Sequence, residues 1–190
     1  MRNILRNRLA LSTVVTTLII LVVSVLLAGV VTYFAINVTS TRVQEENLVM
    51  TKQHIWVNMD SSAVAAIMIT NSGGRDVVIS KIAVRGQVAD TEADIWYVTA
   101  ASGDTLTTDL NYTANTVISA SDTFGGLAGT PALPGSGENL VLTSGSTMVV
   151  YINDPDSITV NDVGLTVAIT AFSSQAMYYK ETNVQAYVSS

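Results

Sequence analysis

The chain has 190 residues, a formal net charge of −6, no cysteine and one histidine. An acidic surface argues against nucleic-acid binding, which needs basic residues against phosphate, and the lack of cysteine excludes disulfides and thiolate chemistry. The single histidine, His54, argues against histidine-based triads and multi-histidine metal sites. We therefore expect a protein that is not an enzyme, carries no cofactor and has no nucleic-acid partner.

The first predicted element is a long apolar helix. No charged residue lies between Arg8 and Arg42, and 18 of the 23 residues from Val14 to Ile36 are apolar. At about 1.5 Å per residue this core makes a helix of about 35 Å, enough to cross the hydrocarbon of a bilayer. Apolar residues occupy every face of it, so the helix must be buried all round, in lipid or among other helices.

The flanking residues separate three interpretations of this segment. A secretory signal has a shorter apolar stretch followed by a small-x-small cleavage site, which is absent here. A single-span anchor fits better, because Arg2, Arg6 and Arg8 favour a cytoplasmic N-terminus and place the rest of the chain outside. In the third interpretation a cut after Ala10 removes the basic leader and keeps the helix in the mature protein.

The third interpretation depends on a family resemblance. The basic leader, the small residue Ala10 and the apolar string that starts at Leu11 resemble the class III signal of type IV pilins, and in detail that of archaeal pilins and archaellins. Bacterial type IV pilins carry glutamate at the fifth mature position, where this chain has Val15; the archaeal relatives generally lack that glutamate. The resemblance covers roughly residues 5 to 56.

The resemblance implies a structural subunit that polymerises into an extracellular helical filament, an archaeal adhesive pilus or archaellum used in adhesion or motility. It implies cleavage between Ala10 and Leu11 by a prepilin peptidase, residence in the cytoplasmic membrane before assembly, and extraction by an assembly ATPase and a membrane platform protein. The mature chain would form a homo-polymer with its helices in the core. The expected core positions are Val14, Val15, Leu18, Ile19, Val22, Leu26, Val30 and Phe34.

The competing hypothesis belongs to another functional class. In it the chain is a monomeric, single-pass anchored β domain that binds a ligand or protein at the cell surface. The same apolar segment and the same leader are compatible with it.

The helix is predicted to continue beyond its apolar part. Ile36, Val43 and Met50 recur every seven residues, which predicts an amphipathic extension to about Gln53. The chain is therefore divided into a leader at 1–10, a helix at 11–54 and a head domain at 55–190. His54 is expected to pack at the junction of helix and head.

The head is predicted to be a β domain. From Ile55 onward the apolar residues follow short runs separated by Gly, Asn, Asp and Ser turns. Val64–Thr70 and Val77–Arg85 flank a turn and predict a hairpin. Further strands are predicted at Asp94–Thr99, Thr105–Thr113, Asn139–Leu142, Thr147–Ile152, Gly164–Ala171, Ala176–Lys180 and Val184–Val188, with a long loop at Ser121–Gly137.

These elements together predict an α+β protein. A long hydrophobic N-terminal helix is followed by an antiparallel β-sandwich or barrel head of immunoglobulin-like size. The head aromatics are expected to be core or subunit contacts. They are Trp56, Trp96, Tyr97, Tyr151, Tyr178 and Tyr179.

Two sets of polar residues are candidates for other roles. Asp154, Asp156, Asn161 and Asp162 offer oxygen ligands for a cation such as calcium, although Asp and Asn are also ordinary turn residues. Asn111 begins an Asn-Tyr-Thr sequon that could carry an N-linked glycan, with chance occurrence as the alternative. No catalytic residue is predicted.

Overall fold

The computed structural model describes residues 2–43, 45–59, 62–90, 94–100, 106, 108–113 and 139–187. It divides into two compact units, Met1–Val43 and Gln44–Ser190. The predicted loop at Ser121–Gly137 lies outside the described residues. The two units are described separately below.

The first unit is one α-helix, α1, which spans Arg2–Val43. Its 42 residues give a length of about 63 Å at the standard rise. The predicted continuation to residue 54 is wrong, since Leu48–Asn58 form the first strand of the head. Met50, assigned to the helical heptad, is instead buried in that strand, where Leu48 and Met50 alternate with exposed Val49.

The second unit is a β domain with nine described strands. In chain order they are β1 (Leu48–Asn58), β2 (Ala63–Asn71), β3 (Val77–Val84), β4 (Gln87–Val88), β5 (Ile95–Ala100), β6 (Leu140–Leu142), β7 (Thr147–Asn153), β8 (Thr166–Ser173) and β9 (Met177–Tyr187), with a 3₁₀ turn at Val160–Asp162 before β8. The α+β class predicted from the sequence is confirmed.

The strands form one continuous mixed sheet in the order β4-β3-β8-β9-β1-β2-β7-β5, and β6 also pairs with β3. The antiparallel prediction fails at one place, because β1 and β9 run parallel through Ile55–Asn58 and Val184–Tyr187. Strand β9 joins the two halves of the sheet, since its earlier residues pair with β8. The separate strands predicted at Ala176–Lys180 and Val184–Val188 are therefore one, whose polar middle, Glu181–Asn183, pairs with β8.

The predicted hairpin of β2 with β3 is also wrong. Strand β2 pairs with β1 and β7, whereas β3 pairs with β4, β6 and β8. The turn after Asn71 leads from one half of the sheet to the other. The buried Asn71 amide holds this turn by donating to the carbonyls of Arg75 and Leu142 and accepting from the N–H of Gly73.

The sheet curls around one apolar core, which both of its halves line. Ile55 and Ile67 from one half and Ile79 and Ile169 from the other belong to the same buried cluster. A second cluster, with Val64, Val149 and Tyr151, covers the opposite face of the β1-β2-β7-β5 half. Strand β7 is consequently buried on both faces, which explains its unbroken apolar run.

The turn between β3 and β4 gives the first testable prediction. Arg85 and Gly86 both have positive φ, 51° and 84°, as a two-residue type I′ hairpin turn requires. A Cβ at Gly86 would meet no atom within 4 Å, so the cost of a side chain there is purely conformational. Gly86→Ala should destabilise the head by about 1–2 kcal/mol in denaturant unfolding.

Gly86→Asn is the matched control for this turn, because asparagine tolerates the left-handed conformation better than alanine. It should lose clearly less stability than Gly86→Ala. Equal unfolding midpoints for both variants and the parent would contradict the turn geometry.

Candidate functional site

The apolar part of α1 is the first candidate functional surface. A span of 30 residues, Leu11–Ser40, is long and apolar enough to cross a membrane by length and composition, and none of it is buried within the chain. Exposed fractions of its large apolar side chains run from 45% at Val22 to 71% at Tyr33. Leaving such side chains in water costs about 1.5–3 kcal/mol each, so this surface requires an apolar partner.

The predicted core positions all lie on this helix and are exposed. They are Val14, Val15, Leu18, Ile19, Val22, Leu26, Val30 and Phe34. The expected cleavage junction, Ala10 and Leu11, falls inside the same uninterrupted helix. Cleavage at this junction remains a prediction.

Several hydroxyl groups within the span donate to carbonyls of the helix itself. The Oγ1 atoms of Thr16 and Thr32 and the Oγ of Ser24 each donate to the carbonyl four residues earlier, and Thr17 donates to the carbonyl of Val14. A polar side chain paired in this way can enter an apolar medium without leaving an unsatisfied donor. The span is therefore compatible with lipid and equally with a bundle of helices.

The second candidate surface is an aromatic face of the head. His54 and Trp56 stack with ring centroids 5.0 Å apart, and Tyr112 meets Trp56 edge-on at 6.2 Å. Tyr112 also stacks on Tyr187 at 3.7 Å. His54 thus lies within β1 and not at a junction of helix and head, which corrects the predicted position.

A segment that we call the strap, residues 106 and 108–113, packs over this face. Leu106 and Leu110 are buried in the second apolar cluster beside Trp56 and Tyr151. The described part of the predicted strand Thr105–Thr113 contains no strand residue. Its apolar side chains enter the cluster from a segment of irregular backbone, which the apolar pattern alone does not distinguish from a strand.

Hydrogen bonds from Lys52, His54 and Tyr151 fasten the strap to the sheet. Lys52 Nζ donates to the carbonyl of Thr108, and His54 Nε2 lies 3.1 Å from Asp109 Oδ1. Tyr151 Oη donates to the carbonyl of Asn111 at 2.9 Å. Because an ionised carboxylate only accepts hydrogen bonds, the His54 proton in this pair is on Nε2.

The fastening groups are electrostatically coupled. The hydrogen bond from His54 lowers the pKa of Asp109 below its ordinary value, and the charge of Lys52 acts in the same direction. Burial raises the pKa of Tyr151 to about 12. Tyr151 therefore remains a neutral donor at physiological pH. This arrangement holds the strap on the sheet.

Asn111, the predicted glycan acceptor, has an exposed side chain on the strap. The next sequon residue, Tyr112, is half-buried in the aromatic stack. Exposure is compatible with modification, and the glycan remains a prediction.

Three of the four predicted cation ligands, Asp154, Asp156 and Asp162, accept hydrogen bonds from other groups, and the fourth, Asn161, is exposed in the 3₁₀ turn. Asp162 pairs with Arg85 at 2.8 Å and accepts from the N–H and Oγ1 of Thr159. Asp156 accepts from Gln87, and Asp154 accepts from the N–H of Ala63. Within the described residues no group of three or more acidic or histidine side chains is placed to hold a metal ion.

The pKa values of Asp94 and Asp162 are shifted in opposite directions. Replacing each aspartate by asparagine should therefore change stability in opposite directions. Burial, with the negative charges of Asp90, Asp154 and Asp156, raises the pKa of Asp94. Hydrogen bonds from Thr159 and the Arg85 guanidinium lower the pKa of Asp162. A raised carboxyl pKa costs stability above that pKa, whereas a lowered one contributes stability that is lost as pH falls through it.

Asp94→Asn should therefore raise the melting temperature at pH 7, and the gain should vanish as the pH falls through the pKa of Asp94. Asp162→Asn should lower the melting temperature at pH 7, and the loss should shrink at acid pH. Melting curves from pH 3 to 8 test both. The same sign for the two variants at pH 7 would contradict this assignment of charges.

Comparison with known proteins does not assign the chain to a family. No family model and no curated protein matches it. Among solved structures, the chain is similar to a beta-glucosidase from Listeria innocua in complex with glucose, at 14% identity and a TM-score of 0.26, covering 76% of this chain and 16% of that chain. The same enzyme with isofagomine gives 15% identity, a TM-score of 0.26 and the same coverage. The chain thus spans about one-sixth of the enzyme's length, and overlap at this TM-score carries no inference about fold or activity.

Proposed function

We propose that this chain is the structural subunit of an extracellular helical filament of the type IV pilus kind, an archaeal pilus or archaellum. One observation carries the proposal: an uninterrupted helix that is apolar and exposed on every face precedes a head with its own buried core. The apolar side chains of the span are exposed, so they are available for contacts with other molecules. Identical helices can supply them by packing together.

The length of the apolar span supports a filament over a simple anchor. Leu11–Ser40 measures about 45 Å, whereas the hydrocarbon of a bilayer is about 30 Å thick. An anchor absorbs the excess only by tilting or by thickening the bilayer. A filament core can use the full length for packing.

The proposed mechanism moves the helix between two apolar environments. A prepilin peptidase cuts between Ala10 and Leu11 while the helix is in the cytoplasmic membrane. An assembly ATPase and a platform protein then extract subunits, whose helices exchange lipid for one another. The hydroxyls of Thr16, Ser24 and Thr32 support this exchange. Each donates to a carbonyl of its own helix and therefore needs no partner from lipid or from a neighbouring helix.

The head would form the outer wall of the filament. Without the leader the chain keeps six basic and fifteen acidic residues, and such an acidic exterior favours solubility. We further propose an immunoglobulin-like sandwich for the head. The support for this is the apolar core inside the curled sheet, because residues from both halves of the sheet line it.

The single-pass anchor remains the second candidate, because the same span satisfies the length and composition of a membrane helix. Mechanical shearing of cells separates the two functions. A filament subunit should be released in particles of high mass whose N-terminal residue is Leu11. Retention in the membrane fraction with Met1 or Arg2 at the N-terminus would contradict the filament proposal.

Gly29→Leu distinguishes helix packing from lipid contact. A Cβ at Gly29 would meet no atom within 4 Å, so a larger side chain disturbs nothing inside the chain. An anchor should tolerate leucine, which is more apolar. A tightly packed bundle of helices should not, because there is no space for the added volume.

The filament proposal predicts that Gly29→Leu leaves membrane insertion and the melting temperature of the head unchanged but reduces the yield of sheared filaments. Val30→Leu, which adds one methylene at the next position, is the matched control and should have a smaller effect. Parental filament yield from Gly29→Leu would count against close helix packing there.

A further inference from the structure

Residues 45–47, where the chain enters the head, continue the pairing of β1 with β2. The last ladder pair is Leu48 with Asn71. Beyond it the N–H of Ser72 donates to the carbonyl of Asn47 at 2.9 Å, and the N–H of Gly74 donates to that of Glu45 at 3.3 Å. These bonds keep the antiparallel register of the strands. We call residues 45–47 with residues 71–74 the entry clamp.

Gly73 makes the close approach in the entry clamp possible. A Cβ at Gly73 would lie 2.6 Å from the carbonyl oxygen of Glu45 and 2.7 Å from the nitrogen of Asn47, closer than any side chain tolerates. Asn47 Nδ2 adds a bond of 2.8 Å to Ser72 Oγ. The clamp therefore depends on a residue without a side chain.

The entry clamp is connected to both halves of the sheet. Ser144, in the turn before β7, donates from Oγ to the carbonyl of Gly73 and from its N–H to Asp76 Oδ1, next to the start of β3. Tyr178 in β9 donates to the carbonyl of Glu46. Tension applied at residue 45 is thus distributed to several strands.

Strand β1 itself lies inside the sheet, between β9 and β2. It is bonded to β2 through Thr51 and again from His54 onward, and to β9 from Ile55 to Asn58. Beside the interruption at residues 52–53, Gln53 Nε2 donates to the carbonyl of Glu181, and Thr182 Oγ1 donates to the carbonyl of Gln53. The edge of β1 toward β2 is therefore bonded from Leu48 to Val57 apart from this interruption, and the edge toward β9 from Gln53 to Asn58.

We propose that the entry clamp and β1 form a mechanical anchor, which resists removal of the head by tension applied through the preceding chain. The ladder bonds between β1 and β2 lie perpendicular to the strands, and those between β1 and β9 are slanted, so a pull along β1 loads both sets in shear. Withdrawal would also drag Ile55, Trp56 and Val57, all buried, out of two apolar clusters. The need for such strength rests on the proposed filament function, in which tension reaches the head from the helix.

Single-molecule pulling on the full chain in detergent tests the anchor without any filament. The chain has no cysteine, so a pair of introduced cysteines provides the only thiols to which the pulling handles can be attached. Glu45→Cys with Gln185→Cys pulls the first and last strands from opposite ends and shears β1 against β9. The control, Glu45→Cys with Gln175→Cys, pulls from the same end and peels the strands apart. All three positions are exposed.

The shear pair should rupture at a force higher by roughly twofold or more, because several ladder bonds share the load. Equal or lower force would overturn the proposal, whether or not the protein forms filaments. Gly73→Ala should lower the rupture force of the shear pair. If Gly73→Ala fails to fold, Asn47→Ala replaces it, because this variant removes only the exposed bond to Ser72. It should lower the rupture force of the shear pair with little change in melting temperature. An unchanged rupture force would show that the entry clamp does not contribute to the mechanical anchor.

Discussion

The constraint on which this protein depends is the burial of α1. The described side chains of its apolar span are exposed, and every face of the span carries large aliphatic side chains. At about 1.5–3 kcal/mol for each Val, Leu or Ile side chain left in water, the helix is not stable as a free element. A helix that is apolar all round is stable only where it is buried, in a membrane or in a protein core. Membrane residence and the proposed polymerisation would each meet that requirement.

The head has no such requirement, because it buries its own apolar residues in two clusters. The first and last strands meet in parallel at the middle of the sheet, so the fold closes around the strand that follows α1 in sequence. Its outer aromatic face is covered by the strap, through contacts with Lys52, His54 and Tyr151. A self-contained head joined to a helix that needs external partners suits a subunit whose core contacts and outer surface are separate.

Local pattern accounts for most elements of this structure, and long-range pairing accounts for the errors. The uncharged run after Arg8 predicts α1, and the apolar runs near β2, β3 and β7 predict those strands. Met50 fits a heptad and a strand equally well, and only its pairing with Ile69 in β2 decides for the strand. The turn after Asn71 has the composition of a hairpin, yet β2 and β3 find partners elsewhere in the chain.

For the candidate sites too, local sequence pattern predicts some features, and long-range pairing determines those that were missed. The all-round apolar composition of α1 predicts contacts with lipid or other helices, and the predicted positions on it are exposed in the chain. The strap could not be anticipated, because His54 and Asp109 are 55 residues apart and neither carries a local motif. The aspartates expected to be oxygen ligands instead accept hydrogen bonds from different groups of the chain, and Arg85, 77 residues from Asp162, was not a candidate for pairing with it. No pattern in one sequence reveals pairings of that separation.

Helical reconstruction by electron cryo-microscopy of material sheared from cells that make this protein tests the central claim most directly. The filament account predicts a central bundle of helices in which Val14–Ile36 contact neighbouring copies, surrounded by the β heads. Molecules that occur only singly in membranes, with this helix in contact with lipid and no ordered polymer in the sheared fraction, would contradict it.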